Sequence, residues 1–337
     1  MSRPSVGVAM SLYNQGRYVA ESIESLLDQT APPDQIVVVD DGSTDDGPEI
    51  VERFESHNVV LLRTNRQGVS NVLNAAVSKL TTDLVAIQAC DDRSEPERLE
   101  WQADVLNSRE PAAVFSLPHV IDEFSHSMPD TFAHEFFVDT NNTANALKRL
   151  FETGNFLCAS SAFMRRDSFF SARAFHPGLL HLQDFLLWIR LAHQGTFEVI
   201  DERLVGYRRN SAGGNLSSPD NDSRMRAEMQ YVYQHFFDGC SNSAIQYSFD
   251  LEAVSDESRN GQIAELLLTH HDLVARQAGV LFALEHLEFD MASTTEKIFE
   301  PQSLFAATAT SDVDRQQSVE AIYQRLRHRA PWDLSND

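Results

Sequence analysis

Positive charge is scarce in this chain: 27 Lys and Arg stand against 50 Asp and Glu, a formal charge of −23 over 337 residues. That balance excludes nucleic acid and anionic membrane surfaces as partners, because both require positive potential. It also sets a condition on any phosphate-bearing ligand, which needs a local device: a metal ion, a helix N-terminus or a few placed cations. Cysteine is scarce as well. Cys90, Cys158 and Cys240 are widely spaced, make neither a disulfide framework nor a zinc ligand set, and read as buried thiols in a reducing cytoplasm. No run approaches the roughly 20 apolar residues of a membrane span, so no transmembrane segment is expected. Met1-Ser2-Arg3-Pro4 leads almost directly into a strand-like run, which leaves no room for a signal peptide.

The chain is organised around Ile36 to Asp46, I-V-V-V-D-D-G-S-T-D-D. A continuous apolar run bounded by turn residues reads as a strand buried on both faces, the habit of parallel sheets. Open α/β sheets bind ligands beyond the carboxyl ends of their strands, so Asp40 and Asp41 are expected at the rim of a crevice. A turn and helix cap is the plain alternative for such a cluster.

Strands and helices alternate around that stretch. Ser5–Ser11, 36–39, Val59–Leu62, Leu84–Ala89 and Ala112–Leu117 read as strands. Tyr18–Leu27, Pro48–Ser56, Gly68–Leu80 and Pro96–Leu106 read as the helices between them. This is the pattern of a mostly parallel, doubly wound sheet. Right-handed crossovers place the ends of strands two and four on one edge, bringing Asp40-Asp41 and Asp91-Asp92 to one crevice. Two acidic pairs there repel unless a cation or donors lie between them. Further on, Asn142–Phe151 and Gln183–Gln194 read as helices, the latter ending at Gly195. Phe156–Met164, Phe197–Ile200 and Leu204–Tyr207 read as strands. Ser211–Asp222 is a long polar loop. Ser223–Phe237, Gly261–Glu288 and Asp312–Arg327 read as a helical tail without a legible motif.

These stretches line up with a family. Over about residues 5–215 the chain resembles the family 2 glycosyltransferases. The likeness rests on V-G-V-A-M-S-L-Y-N-Q-G-R-Y from Val6, V-V-V-D-D-G-S-T-D-D-G from Val37, N-R-Q-G-V-S-N-V-L-N-A-A from Asn65, C-D-D-R-S-E-P-E-R-L from Cys90, and L-Q-D-F-L-L-W-I-R-L-A-H-Q-G from Leu182 with Y-R-R-N following. Five such motifs in order are specific. The resemblance implies an α/β GT-A fold, a Rossmann-like three-layer architecture with a mostly parallel central sheet, plus a C-terminal helical extension. The expected domains are a glycosyltransferase domain at 1–220, with a nucleotide-binding half (1–117) and an acceptor half (118–220), and a helical extension at 221–337.

The same resemblance implies an inverting hexosyltransferase that moves a sugar from a nucleotide-diphospho sugar, a UDP-sugar foremost, to an acceptor hydroxyl in glycan or polysaccharide assembly. Ser11 and Tyr13 match the first nucleotide-contacting loop, Asp41 the acceptor of a hydrogen bond from the base, Asp91 the ribose contact, and Asp92 the ligand of a divalent metal. The leaving diphosphate needs a Lewis acid in an acidic crevice, and oxygen ligands suit Mg²⁺ or Mn²⁺. Asp184 matches the general base, with a helix N-cap as its alternative; Arg208 and Arg209 are candidate diphosphate clamps, and Asn155 a candidate acceptor-side contact. Three positions depart from the pattern: Ala89 replaces the first Asp of the metal motif, Leu73 an Arg, and Asn210 a His. They motivate the competing reading of a catalytically inactive relative that binds nucleotide or glycan, or acts as a scaffold. The expected partners are a nucleotide-sugar donor, a glycan, lipid-linked or protein acceptor, and a second copy of the chain through the C-terminal helices.

Overall fold

The computed structural model describes residues 3–132, 136, 145–209 and 222–287. In chain order the elements are β1 (Val6–Leu12), α1 (Gly16–Leu27), β2 (Gln35–Asp40), α2 (Gly47–Glu52), β3 (Val59–Arg63), α3 (Val69–Lys79), β4 (Leu84–Ala89), β5 (Arg93–Ser94), α4 (Arg98–Arg109), β6 (Ala113–Ile121), α5 (Ala146–Thr153), β7 (Phe163–Arg165), α6 (Arg166–Ser171), α7 (Gln183–Ala192), β8 (Phe197–Arg208), α8 (Asp222–Gln234), α9 (Asn242–Phe249), α10 (Arg259–Leu268) and α11 (Leu273–His286). Residues 210–221, with Asn210 and nearly all of the polar loop, and the helix expected at Asp312–Arg327 lie outside the described residues.

The eight strands form one sheet in the order β3-β2-β1-β4-β7-β6-β8-β5. The first four are parallel, in keeping with their short apolar runs and helical crossovers. Ile36 to Val39 of β2 are at most 1% exposed, as a strand covered on both faces must be. Helix α1 packs Val19, Ile23 and Leu26, spaced at i, i+4 and i+7, into the same core as Val8, Met10, Ile36 and Val38.

The second half of the sheet departs from the alternating expectation. β6 does not follow β4. The three-residue β7 inserts between them, antiparallel to both. Most of the stretch expected to be a strand from Phe156 is instead a turn and a 3₁₀ segment at Ala159–Ser161. Ser161 Oγ donates to Cys158 O at 2.8 Å, a local bond that competes with ladder pairing. In contrast, Phe197–Ile200 and Leu204–Tyr207 join into one 12-residue strand. The exposed Asp201-Glu202-Arg203 masks its continuity in the sequence. Register shifts at Ser116–Pro118 absorb the irregularity, at the place where Pro118 has no N–H to give the ladder.

The chain divides into two compact units. One holds residues up to Glu228 together with Asp238–Asp250, so the start of α8 and all of α9 belong with the sheet. There Asn145 caps α5 by accepting from Lys148 N, and its Nδ2 donates to Ser248 O of α9 at 2.8 Å. The other unit contains Met229–Phe237 and the described residues from Leu251 on. Its core includes Val232, Phe236, Ile263, Leu267, Ala275 and Ala278, all at most 2% exposed. Among the described residues no helix is long and apolar enough to cross a membrane.

Candidate active site

Strand register assembles the rim. Ser11 at the end of β1 pairs with Val39 on one side and Ala89 on the other, so the segments following β1, β2 and β4 leave the sheet side by side. The crossovers that deliver both acidic pairs to one edge are therefore present. Asp40 is 4% exposed and accepts from Ser43 N at 3.0 Å, which makes it a turn-shaping residue. Asn14, at a φ of 51°, ties the β1 loop to this turn: its Oδ1 accepts from Thr44 N at 2.8 Å, and its N–H donates to Ser43 Oγ at 2.9 Å. That latch carries Tyr13, which is 38% exposed at the rim.

Asp41 has a second duty that its motif does not announce. Its carboxylate accepts from Gln67 N at 2.6 Å, Gly68 N at 2.9 Å and Thr64 Oγ1 at 3.2 Å, so it holds the loop between β3 and α3. A carboxylate has about four acceptor sites, which leaves one for the base contact expected of it. The loop brings Arg66, exposed and at a φ of 42°, over the Tyr13 ring at 4.3 Å, with the guanidinium also donating to the Tyr13 hydroxyl.

The second acidic pair is asymmetric. Asp92 is 3% exposed. Ser160 Oγ donates to its Oδ2, and Arg208 N donates to its Oδ1 at 2.8 Å. Each oxygen thus has one donor, and the acceptor positions left over are those that the metal expected at Asp92 would use. Asp91 is the partly exposed member and accepts from the Gln15 side chain. Burial raises the pKa of both carboxyls, and the Asp91 charge raises that of Asp92 further, while Arg208 pulls both back.

Arg208, expected as a candidate diphosphate clamp, lies beneath the rim. Its side chain is 1% exposed. Nε donates to Asp91 O at 2.6 Å, Nη1 to Asp122 O at 2.7 Å, and Nη2 to Glu21 Oε2 at 2.7 Å; Ser125 Oγ accepts as well, and the Tyr18 ring lies 4.6 Å from the guanidinium. A buried guanidinium must satisfy its donors internally, and here it does so by bracing the acidic pair from beneath. Arg209 N donates to Ile121 O at 2.9 Å, and its guanidinium lies 5.1 Å from the Tyr207 ring.

Asp184 is the second residue of α7 and does not cap it; the cap position is Leu182. Its carboxylate is partly exposed and accepts from Phe185 N at 2.7 Å and from Asn155 Nδ2 at 3.0 Å. Burial pushes its pKa up to about 6, against the opposing pull of these two donors. It is therefore ionised at neutral pH yet more basic than an ordinary carboxylate.

Glu228 of α8 was invisible as a site residue in the sequence, where Arg224 and Glu228 look like an ordinary i,i+4 surface pair. It is 6% exposed. Its carboxylate accepts from Leu180 N at 3.0 Å, His181 N at 2.8 Å, Leu182 N at 3.1 Å and Arg224 Nε at 2.8 Å. Burial would raise its pKa, but these donors outweigh burial and hold it low. Glu228 thus fixes the segment leading into α7 and Asp184.

Among the described residues no three His, Cys, Asp or Glu side chains converge as a metal site. Mg²⁺ bound with a phosphate substrate needs less, commonly one or two carboxylates completed by phosphate oxygens and water. The partly exposed Asp91 fits that requirement.

Residues 7–170 match the family model described as Glycosyl transferase family 2. An uncharacterized glycosyltransferase of Nostoc sp. is 24% identical over 232 residues, covering 67% of this chain and 71% of that one. The amylovoran biosynthesis glycosyltransferase AmsE of Erwinia amylovora is 28% identical, over 56% of this chain and 70% of its own. Among solved structures, S. aureus TarS 1–349 in complex with UDP aligns at a TM-score of 0.59 and 17% identity, covering 95% of this chain and 91% of that one. The same protein in complex with UDP-GlcNAc also aligns at 0.59.

Proposed function

We propose that this family 2 glycosyltransferase, whose family domain occupies residues 7–170 of a GT-A-type fold, transfers a sugar from a UDP-sugar to an acceptor hydroxyl with inversion, in the assembly of a polysaccharide or related glycan. The observation that carries this reading is Asp184. It is a carboxylate held near a pKa of 6 and oriented by Asn155, at the start of a helix whose approach is fixed by Glu228. A base poised just below working pH is what an acceptor hydroxyl requires.

In this reading the nucleoside lies against Tyr13 and Ser11, with Asp41 taking a hydrogen bond from the base. Asp91 faces the ribose and diphosphate. The acceptor oxygen attacks the anomeric carbon from the side opposite the diphosphate. Asp184 takes its proton, the bond from the anomeric carbon to the phosphate oxygen breaks, and the electron pair leaves with UDP. A divalent cation, Mg²⁺ or Mn²⁺, held by Asp91 and the donor's phosphates would supply offsetting charge for the leaving group. Asp92, Ser160 and Arg208 keep Asp91 in place. The buried thiols suit a reducing cytoplasm. The UDP complex of TarS and the polysaccharide role named for AmsE support the donor and setting.

The test pairs binding with transfer. UDP should raise the melting temperature, more so with Mg²⁺ or Mn²⁺, and Asp184→Asn should keep that shift while losing transfer from the UDP-sugar that the wild type accepts. Wild-type transfer by Asp184→Asn, or no shift with UDP, would sink the reading.

A further inference from the structure

Charge at the crevice mouth is distributed unevenly. Arg17 pairs with Glu123, Arg63 with Glu49 and Glu52, Arg93 with Glu21 and Glu95, and Arg208 with Glu21. Arg66 differs: among the described residues it pairs with no carboxylate, and its guanidinium rests on the Tyr13 ring. In a chain with a formal charge of −23, an exposed cation left on a neutral ring, in a loop held by Asp41, is conspicuous.

Its backbone is held as well. Arg66 N donates to Asp41 O at 3.3 Å, and the next two N–H groups end on the Asp41 carboxylate. The opposite partner is equally fixed, since Asn14 latches the Tyr13 loop to the turn after β2. Gly42, at a φ of 81°, lets that turn run close to the Arg66 loop: a Cβ there would lie 3.6 Å from Arg66 N. Two hydrogen-bonded loops thus hold a planar cation over an aromatic ring, and the Arg66 side chain is exposed.

We propose that Arg66 and Tyr13 form a clamp for the nucleobase, in which Arg66 leaves the Tyr13 ring and stacks on the face of the base. This rests on the nucleotide-sugar reading and adds a residue to it. Guanidinium suits the task because it stacks on π faces and donates in a fixed plane, which an ammonium cannot do. It also supplies one of the few placed cations that an acidic protein needs to hold an anionic ligand. Leu73, 6% exposed in α3, supplies none.

The test is calorimetric titration of UDP and of uridine into wild type, Arg66→Ala and Arg66→Lys, with EDTA present so that base contacts dominate. Arg66 is exposed, so truncating it leaves the core intact, and a melting curve confirms this. Arg66→Ala should weaken both ligands about tenfold, the scale of one cation or aromatic contact to a base. Arg66→Lys should recover less than half of that loss on a logarithmic scale. Unchanged UDP affinity in Arg66→Ala removes Arg66 from the site and leaves the nucleotide reading standing. A loss for UDP with none for uridine makes Arg66 a diphosphate contact and overturns the base clamp, and so does full recovery by Arg66→Lys. A wild type that binds neither ligand with EDTA, nor UDP once Mg²⁺ or Mn²⁺ replaces the EDTA, overturns the nucleotide reading and the clamp together.

Discussion

Replacing Asn155 by Ala probes the proposed base without touching it. Asn155 Nδ2 donates to Asp184 Oδ2 at 3.0 Å, and this bond favours the ionised carboxylate. A hydrogen bond to a charged group is worth about 1.5–3 kcal/mol, and a pKa unit is about 1.4 kcal/mol. Asp184 is partly exposed, so solvent takes over part of the lost bond and the lower end applies. The expected shift is about one unit upward, from about 6 to roughly 7. The sign follows from the role: the ionised form accepts the proton, so the rate rises with pH through the pKa. Raising that pKa moves the acid limb to higher pH. At pH 6.5 the ionised fraction falls from about three quarters to about one quarter, a threefold loss of rate, while above about pH 8.5 the two proteins converge. The assay is the initial rate of UDP release with acceptor present, from pH 5 to 9. Asn155→Asp, which places a like charge beside Asp184, should move the limb further in the same direction. An unchanged midpoint in Asn155→Ala, or a uniform loss at every pH, refutes the electrostatic link.

Two further outcomes bear on stability. Asp184 holds its proton more tightly in the fold than in the unfolded chain, so its contribution favours the fold below about pH 4 and is lost as pH rises through about 6. Asp184→Asn should therefore melt higher than wild type at pH 7.5 and equally at pH 4; the two-unit span caps the gain at about 3 kcal/mol, less what partial exposure screens. Arg208→Met should lower the unfolding free energy by about 1–3 kcal/mol in urea, because it takes the donors from the part-buried carbonyls of Asp91 and Asp122, while Glu21, 37% exposed, regains water. A change under about 0.5 kcal/mol, as for a surface arginine, would show that the buried network contributes nothing.

The parts of the fold that were legible in the sequence are those whose physics is local. The run Ile36 to Val39 can only be a buried strand, and α1 declares its face through Val19, Ile23 and Leu26. Rim positions follow from strand ends, so Asp40-Asp41 and Asp91-Asp92 could be placed before any coordinates, while Ser11 and Tyr13 were singled out by the family resemblance. What was hidden depends on partners distant in the chain. The short β7 is specified by its neighbours β4 and β6 rather than by its own three residues. The donors to Asp92 come from Ser160 and Arg208, residues 68 and 116 positions away. Arg208 itself carries the composition of a surface cation, and only the carbonyls and Glu21 gathered around it reveal a brace.

The same long-range partnerships answer the difficulty posed by net charge. Under the proposed function a chain at −23 binds an anionic donor, yet most of its rim cations are consumed by its own carboxylates. The Glu228 contact shows one consequence of that economy. The three consecutive N–H groups of residues 180–182 are the kind of backbone nest that captures phosphate, and here a carboxylate of the protein occupies it. That nest orders the approach to Asp184 and is closed to substrate. In the proposed reading, two devices among the described residues stand open at the rim: the Asp91 carboxylate, which would draw in a divalent cation along with the diphosphate, and Arg66 on the Tyr13 ring. With so few groups sharing the task, loss of either one should weaken UDP binding measurably, whereas a protein with a basic crevice would buffer such a change.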